Sequence, residues 1–363
     1  MSLITRRNML KTAAAASALP LLGSRAFAAD PLKVGWVYLG PIGDAGWTWA
    51  HNKGRLEVEK ALGDKVATTY VENVAEDASA EPVLRDLCKQ GHKLIFTTSF
   101  GYMDQTIKVA KEFPDVMFEH ATGYKRDKNV STYNSRFHEG RAVLGTIAGM
   151  MTKTNTIGYL GTYKVPEVVL GINAFTLSAQ AVNPKIQVKL VMIDSWFDPA
   201  KEAAATETLA NLGCDVITTH TDSPAALQVM EQKGLFGFGQ GADMSKYAPH
   251  AHLTAIEDIW GPYYTSRAQA VLDGKWTSTD TWWGMKEGTV KISPYNASLP
   301  KEVAAAADKV IAGWKDGSYN VFTGPIKDQS GAERVAAGAA LPDQEIKTMT
   351  WLVEGVQGTL PKT

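Results

Sequence analysis

Cysteine is nearly missing from this chain, with two in 363 residues. That excludes a disulfide-stapled scaffold and any all-cysteine metal site. Surplus positive charge is missing too. With 37 Lys+Arg against 38 Asp+Glu, the chain lacks the basic footprint of a nucleic-acid binder. A mean hydropathy of -0.15 excludes a polytopic membrane protein. There is no Gly-Lys-Ser/Thr phosphate loop, no His-Glu-x-x-His pair and no Gly-x-Ser-x-Gly elbow. The seven histidines are scattered, with no Cys or carboxylate at metal spacing, so neither a metal nor a cofactor is expected. Gly237 to Ala242 approaches a dinucleotide fingerprint, with Asp258 at a suitable distance. The following Asp243 to Pro249 has no helical period, so no helix N-terminus meets a pyrophosphate. His220 and Asp222 would suit a hydrolase, but no nucleophile accompanies them.

What is present is an ordinary globular composition, 45% hydrophobic and 21% charged, long enough for roughly two domains. The first 28 residues read as an export signal. Arg6, Arg7 and Lys11 form a positive region, Thr12 to Leu22 a short apolar run, and Ala26-Phe27-Ala28 a small-x-small cleavage site. The run is shorter than the about 20 residues that span a bilayer. The twin arginines resemble the twin-arginine export signal; an ordinary Sec signal is the alternative. Cleavage after Ala28 removes four positive charges and no acid, leaving 33 Lys+Arg against 38 Asp+Glu, a net charge of -5.

Beyond the signal, buried-strand runs alternate with helical stretches. Strands are predicted at Lys33–Leu39, Lys65–Val71, Leu94–Thr98, Val116–Ala121 and Val130–Tyr133. Helices fall at Trp49–Leu62, Ala80–Gln90 and Gln105–Glu112. The pattern restarts with a helix at Arg141–Met151 and continues through strands Thr156–Gly161, Val188–Ile193, Val216–Thr219 and Phe236–Gly239. The helices between them are Gly171–Ala181, Ala200–Leu212 and Pro224–Lys233. Such alternation implies parallel sheets covered by helices on both faces. Leu87 to Ser99 and Leu209 to Thr221 echo each other as a helix end, a glycine, and a strand finishing in hydroxyls. Two lobes of one topology follow, with Cys88 and Cys214 in different lobes as free thiols.

Ligands of such sheets meet the loops at the carboxyl ends of the strands. The loops expected in a shared cleft are Gly40–Trp47, Ser99–Tyr102, His120–Gly123, Thr162–Pro166, Ser195–Asp198, His220–Ser223 and Gln240–Asp243. Aromatic residues recur on them: Trp47, Phe100, Tyr102, Trp196. Asp44 and Asp198 stand beside two of these groups. A flat heteroaromatic ligand gains about 1–3 kcal/mol per stacked ring, and carboxylates and amides read its N–H edge.

Gly43-Asp44-Ala45-Gly46-Trp47, Phe113-Pro114-Asp115-Val116-Met117-Phe118, Glu139-Gly140, Met151 to Gly158, Val182-Asn183-Pro184, Asp198-Pro199-Ala200-Lys201 and Phe322 to Asp328 together resemble the basic membrane protein (BMP) family. These are substrate-binding proteins of ABC importers, akin to the purine-nucleoside receptors. The resemblance covers nearly the whole chain beyond the signal. It implies the type I periplasmic-binding-protein fold, an α/β fold of two doubly wound lobes joined by three crossing segments. Lobe one is placed at residues 29–133 plus 257–288, and lobe two at 134–256 plus 289–363. It implies a periplasmic monomer that performs no chemistry and partners an inner-membrane ABC permease.

Carried over by motif, Asp44 meets the purine edge, while Trp47 and Trp196 line the base. Two departures stand out. Gly241 occupies the place of a family Asp, and Glu257-Asp258 the place of a family Lys, the pair that clamps ribose. The expected ligand is therefore a free purine base, adenine-like. The expected contacts are Asp44, Trp47, Phe100, Tyr102, Trp196, Asp222, Gln240 and Glu257. A nucleoside or sugar receptor is the alternative, and an exported nucleoside hydrolase a third reading.

Overall fold

The computed structural model describes residues 30–361; the predicted export signal lies outside the described residues. The first half alternates β1 (Leu32–Val37), α1 (Trp47–Leu62), β2 (Val66–Val71), α2 (Ala80–Lys89), β3 (Leu94–Thr97), α3 (Met103–Glu112), β4 (Met117–Ala121) and β5 (Val130–Ser135). The second half repeats the pattern. It runs α4 (Phe137–Met151), β6 (Thr156–Gly161), α5 (Pro166–Val182), β7 (Gln187–Met192), α6 (Pro199–Asn211), β8 (Val216–Thr219), α7 (Ala225–Lys233), β9 (Phe236–Gly241) and β10 (His252–Asp258). The chain then gives α8 (Gly261–Leu272) and β11 (Asp280–Trp283) to the first lobe. It returns with β12 (Val290–Ile292), α9 (Lys301–Asp316), the β13 (Ile326–Lys327) and β14 (Glu333–Val335) hairpin, α10 (Asp343–Lys347) and β15 (Val356–Gln357).

The two sheets share one order. The first runs β2-β1-β3-β4-β5-β11 and is parallel throughout; the second runs β15-β7-β6-β8-β9-β10-β12, with only β12 antiparallel. In both, strand order reverses beside the first strand of the unit, the place where doubly wound sheets open a crevice. β3 and β8, Leu-Ile-Phe-Thr and Val-Ile-Thr-Thr, are buried at every position, as central parallel strands covered on both faces must be. The chain crosses between sheets after Ser135, after Asp258 and after Trp283.

α4 and α5 pack backbone to backbone. A Cβ at Gly145 would lie 2.3 Å from the Phe175 carbonyl oxygen, and one at Gly149 would lie 2.8 Å from that of Ala179. α6 starts where the sequence dictates. Asp198 accepts from the Lys201 N–H at 3.0 Å and Pro199 takes the first turn, a side-chain cap followed by the residue whose missing N–H costs nothing there. Cys88 and Cys214 are buried, unpaired, and belong to separate apolar clusters.

Candidate functional site

The carboxyl ends of both sheets face each other across one slot. Its walls are Leu39, Trp47, Ser99, Phe100 and Thr122 from the first lobe and Glu167, Trp196, His220, Asp222 and Gln240 from the second. The slot encloses about 20 Å³, room for about one water. A flat ring therefore enters only when the lobes part. A wider groove outside it is floored by Gly40, Pro41 and Gly43 to Ala45 and by Ser195 to Phe197.

Trp47 opens α1, preceded by Gly46 at φ 87°. Its indole N–H donates to the Thr98 carbonyl at 2.6 Å, which fixes the ring plane. His51 and Trp260 back the ring edge-on, with centroids 4.4 and 5.6 Å away. Burial holds His51 neutral, well below the ordinary imidazole value. Opposite, the Trp196 indole donates to Glu76 of the other lobe at 3.0 Å. The same Glu76 accepts from the Ser99 hydroxyl at 2.5 Å and the Gly101 N–H at 2.7 Å, so one carboxylate fixes the Phe100 turn and latches the lobes. Asp222 makes a second latch, accepting from the Trp47 backbone N–H at 3.3 Å. It thereby caps the first turn of α1.

The polar floor is acidic and buried. Burial pushes the Glu167 carboxyl up to about 8; the Arg141 guanidinium opposes the rise and the Asp222 charge adds to it. Asp222 is raised well above the ordinary range by burial and then by Glu202. Asp258 is raised likewise, and neither of its oxygens has a protein partner. With its carboxyl near 8, Glu167 is largely protonated at neutral pH and can both donate and accept. His220, held neutral by burial, contacts the Tyr159 hydroxyl at 3.2 Å and lies 3.5 Å from Glu167. Glu202 supports the loop from below, accepting from Thr221 at 2.8 Å, Ser223 at 2.6 Å and the Asp198 N–H at 3.1 Å.

Of the eight residues named from sequence, Trp47, Phe100, Trp196, Asp222 and Gln240 line the slot. Three do not. Tyr102 is wholly buried in the first lobe, donating to the Val74 carbonyl at 2.5 Å; the turn at Phe100–Tyr102 sends alternate rings to opposite sides. Glu257 pairs along β10 with Lys291 of β12, and its carboxylate accepts from Ser293 at 2.8 Å. Asp44 sits exposed on the groove rim, bound to Lys246 at 2.5 Å and to the Tyr247 hydroxyl. Lys246 and Tyr247 hold its carboxylate below the usual range. Gly241, read as a lost ribose clamp, has φ 73°, and a Cβ there would lie 3.0 Å from Gly46 of the other lobe. A side chain at that position would strain its own backbone and crowd Gly46 in the closed form. Glu167 was missed because Pro166, the first residue of α5, reads from sequence as loop.

Among the described residues no cluster of three or more His, Cys, Asp or Glu is arranged to hold a metal ion, and no helix is long and apolar enough to cross a membrane. Residues 32–320 match the family model described as ABC transporter substrate-binding protein, PnrA-like (Bmp). A purine-binding protein of Brucella abortus is 54% identical over 94% of this chain and 97% of its own. A putative ABC transporter glucose-binding protein of Haloferax volcanii is 33% identical over 92% of this chain and 82% of its own. A solved ABC transporter solute-binding protein from Aeropyrum pernix superposes with a TM-score of 0.69 at 16% identity. It covers 87% of this chain and 98% of that one. A second, from Conexibacter woesei, gives 0.65 at 20% identity over 80% and 98%. The two crossed lobes are thus the type I periplasmic-binding-protein fold, and the chain belongs to the Bmp family of ABC-transporter substrate-binding proteins, a binding protein rather than an enzyme.

Proposed function

We propose that this protein is the extracytoplasmic receptor of an ABC importer, closing over a free purine base of the adenine type and presenting it to an inner-membrane permease. The observation that carries this reading is the composition of the slot. Three aromatic rings, Trp47, Phe100 and Trp196, stand with Glu167, Asp222 and Gln240 and with no lysine or arginine among the lining residues. Aromatic walls favour a flat ring, and the acids suit an edge rich in N–H donors. Gly241 leaves no side chain to hold a ribose hydroxyl. The purine-binding relative supports the same class of ligand.

The glucose-binding name of the second relative favours a sugar as the competing reading, since sugars also stack on tryptophan. Titration calorimetry with adenine, adenosine, xanthine, ribose and glucose separates them. Adenine is expected to bind tightest, ahead of adenosine by roughly ten- to a hundredfold, because an unpartnered buried hydroxyl costs about 1–3 kcal/mol. Tighter binding of adenosine would overturn the free-base reading; binding of glucose alone would overturn the purine class. For export, cleavage after Ala28 by the twin-arginine route is proposed. Replacing Arg6 and Arg7 with lysine should leave precursor in the cytoplasm, and normal export of that variant would assign the Sec route.

A further inference from the structure

A glutamine side chain offers a carbonyl acceptor on one side and an NH2 donor on the other, and either can face a ligand. In this slot the choice is settled from behind. Arg141, on α4, is completely buried. One guanidinium nitrogen donates to the Thr218 hydroxyl at 3.1 Å and the Thr219 carbonyl at 2.9 Å; the other donates to the Gln240 carbonyl oxygen at 2.5 Å. The guanidinium also lies over the Tyr159 ring, 5.4 Å from its centroid. Every polar hydrogen on that group is a donor and none of its atoms accepts. Turning the Gln240 amide over would set NH2 against NH2, so its oxygen must point at Arg141.

We propose that Arg141 is a positioning residue that fixes Gln240 as a hydrogen-bond donor to the ligand, so that the slot reads a ring-nitrogen lone pair as well as N–H groups. This rests on the reading of the ligand as a purine base. Gln240 lines the slot at the carboxyl end of β9, and no protein acceptor takes its NH2 group among the described residues. The remaining polar lining on the second lobe is Glu167, Asp222 and His220. A wall of carboxyl groups alone satisfies the N–H hydrogens of a base and leaves its bare ring nitrogens to compete for carboxyl protons. A fixed amide donor answers one of those nitrogens without a proton. The ligand class this selects is a heteroaromatic base presenting a lone pair and an N–H within one edge, as aminopurines do.

The test is calorimetry of the full-length mature protein against adenine and its 1-deaza, 3-deaza and 7-deaza analogues, each lacking one ring lone pair. The native protein is expected to lose roughly tenfold or more at one deaza position, as a lost hydrogen bond requires, and less at the others. In Gln240→Met that position should bind like adenine itself while the other positions keep their native ratios. Gln240→Glu, which faces Arg141 as an ion pair and offers no donor, should behave the same way. Arg141→Lys, still a donor-only group, should keep the discrimination, and Arg141→Met should lose it. Urea unfolding of each variant identifies any that fails to fold; Gln240→Met takes the acceptor from Arg141 and Gln240→Glu keeps it, so agreement of the two separates the lost donor from any disturbance of the buried arginine. Undiminished deaza discrimination in Gln240→Met overturns the role of Gln240. Discrimination retained in a folded Arg141→Met overturns the positioning role. A native protein that binds no purine overturns the base reading instead, and this inference with it.

Discussion

Gly46 stands where the lobes come closest. Its φ of 87° and ψ of -167° belong to a region open essentially to glycine. A Cβ there would lie 2.5 Å from the Asp222 carbonyl oxygen, across the slot. That second clash exists only when the lobes close. Gly46→Ala should therefore weaken ligand binding by at least about tenfold while lowering stability by only about 1–3 kcal/mol. Calorimetry with urea unfolding checks this; unchanged affinity would show that closure does not bring residue 46 against Asp222. Trp47→Ala removes a ring held in plane from behind and should cost about 1–3 kcal/mol of binding. Tyr102→Phe makes the contrast. It deletes only the bond to the Val74 carbonyl, so stability should fall by about 1 kcal/mol and affinity should not move. The difference between Trp47 and Tyr102 was invisible in sequence. Both are aromatic residues near a strand end, and only the local turn decides which ring faces the slot. Gln240 and Asp222 were legible because each stands close to the carboxyl end of a parallel strand, Gln240 one residue before β9 ends and Asp222 three residues after β8 ends.

At the scale of elements, the βα grammar made most of the fold readable. β8 occupies Val216–Thr219, the same four residues the apolar run delimits, because a central strand has no solvent face to blur its ends. α5 was less readable. Its interior is apolar on nearly every side, with Val168 to Phe175 all buried, so no amphipathic period marks its first turn and Glu167 went unnoticed. The C-terminal stretch was illegible for another reason. β13, β14 and β15 are two or three residues each, too short for any period, and they are held by tertiary bonds. Asn173 in α5 is the anchor. It donates to the Trp351 carbonyl at 2.7 Å and accepts from the Val353 N–H at 3.0 Å, just before β15 joins the edge of the second sheet. Asn173→Ala leaves both backbone groups unpaired in a buried place and should lower stability by about 2–4 kcal/mol. A loss below about 1 kcal/mol in urea unfolding would mean that the C-terminal segment is held by its apolar contacts alone.

For the whole molecule, the buried ionisable groups make stability depend on pH from both sides. Burial raises the Glu167 carboxyl to about 8 and the Glu139 carboxyl to about 7, and it raises Asp222 and Asp258. A raised carboxyl binds its proton more tightly in the folded chain. Its contribution is full below the ordinary carboxyl value near 4.5 and is lost as pH climbs through the folded value. Buried histidines act in the opposite sense. His120 is lowered to about 4 and His138 to about 3, in each case first by burial, so their contribution is present above the ordinary 6.5 and lost as pH falls toward those values. The two sets oppose each other only between about pH 4.5 and 6.5. The urea midpoint should therefore peak inside that window and decline on both sides. Because Glu167 lies on the slot wall, parting the lobes gives its carboxyl water and relieves its share of the alkaline penalty, so the closed form should weaken faster than the fold between pH 6.5 and 8. Glu167→Gln keeps the shape and removes the titration. It should flatten the alkaline limb of the native profile while leaving the acid limb, set by the buried histidines His51, His120, His138 and His220, in place. An alkaline limb of unchanged slope in Glu167→Gln would move the penalty to Glu139, Asp222 and Asp258.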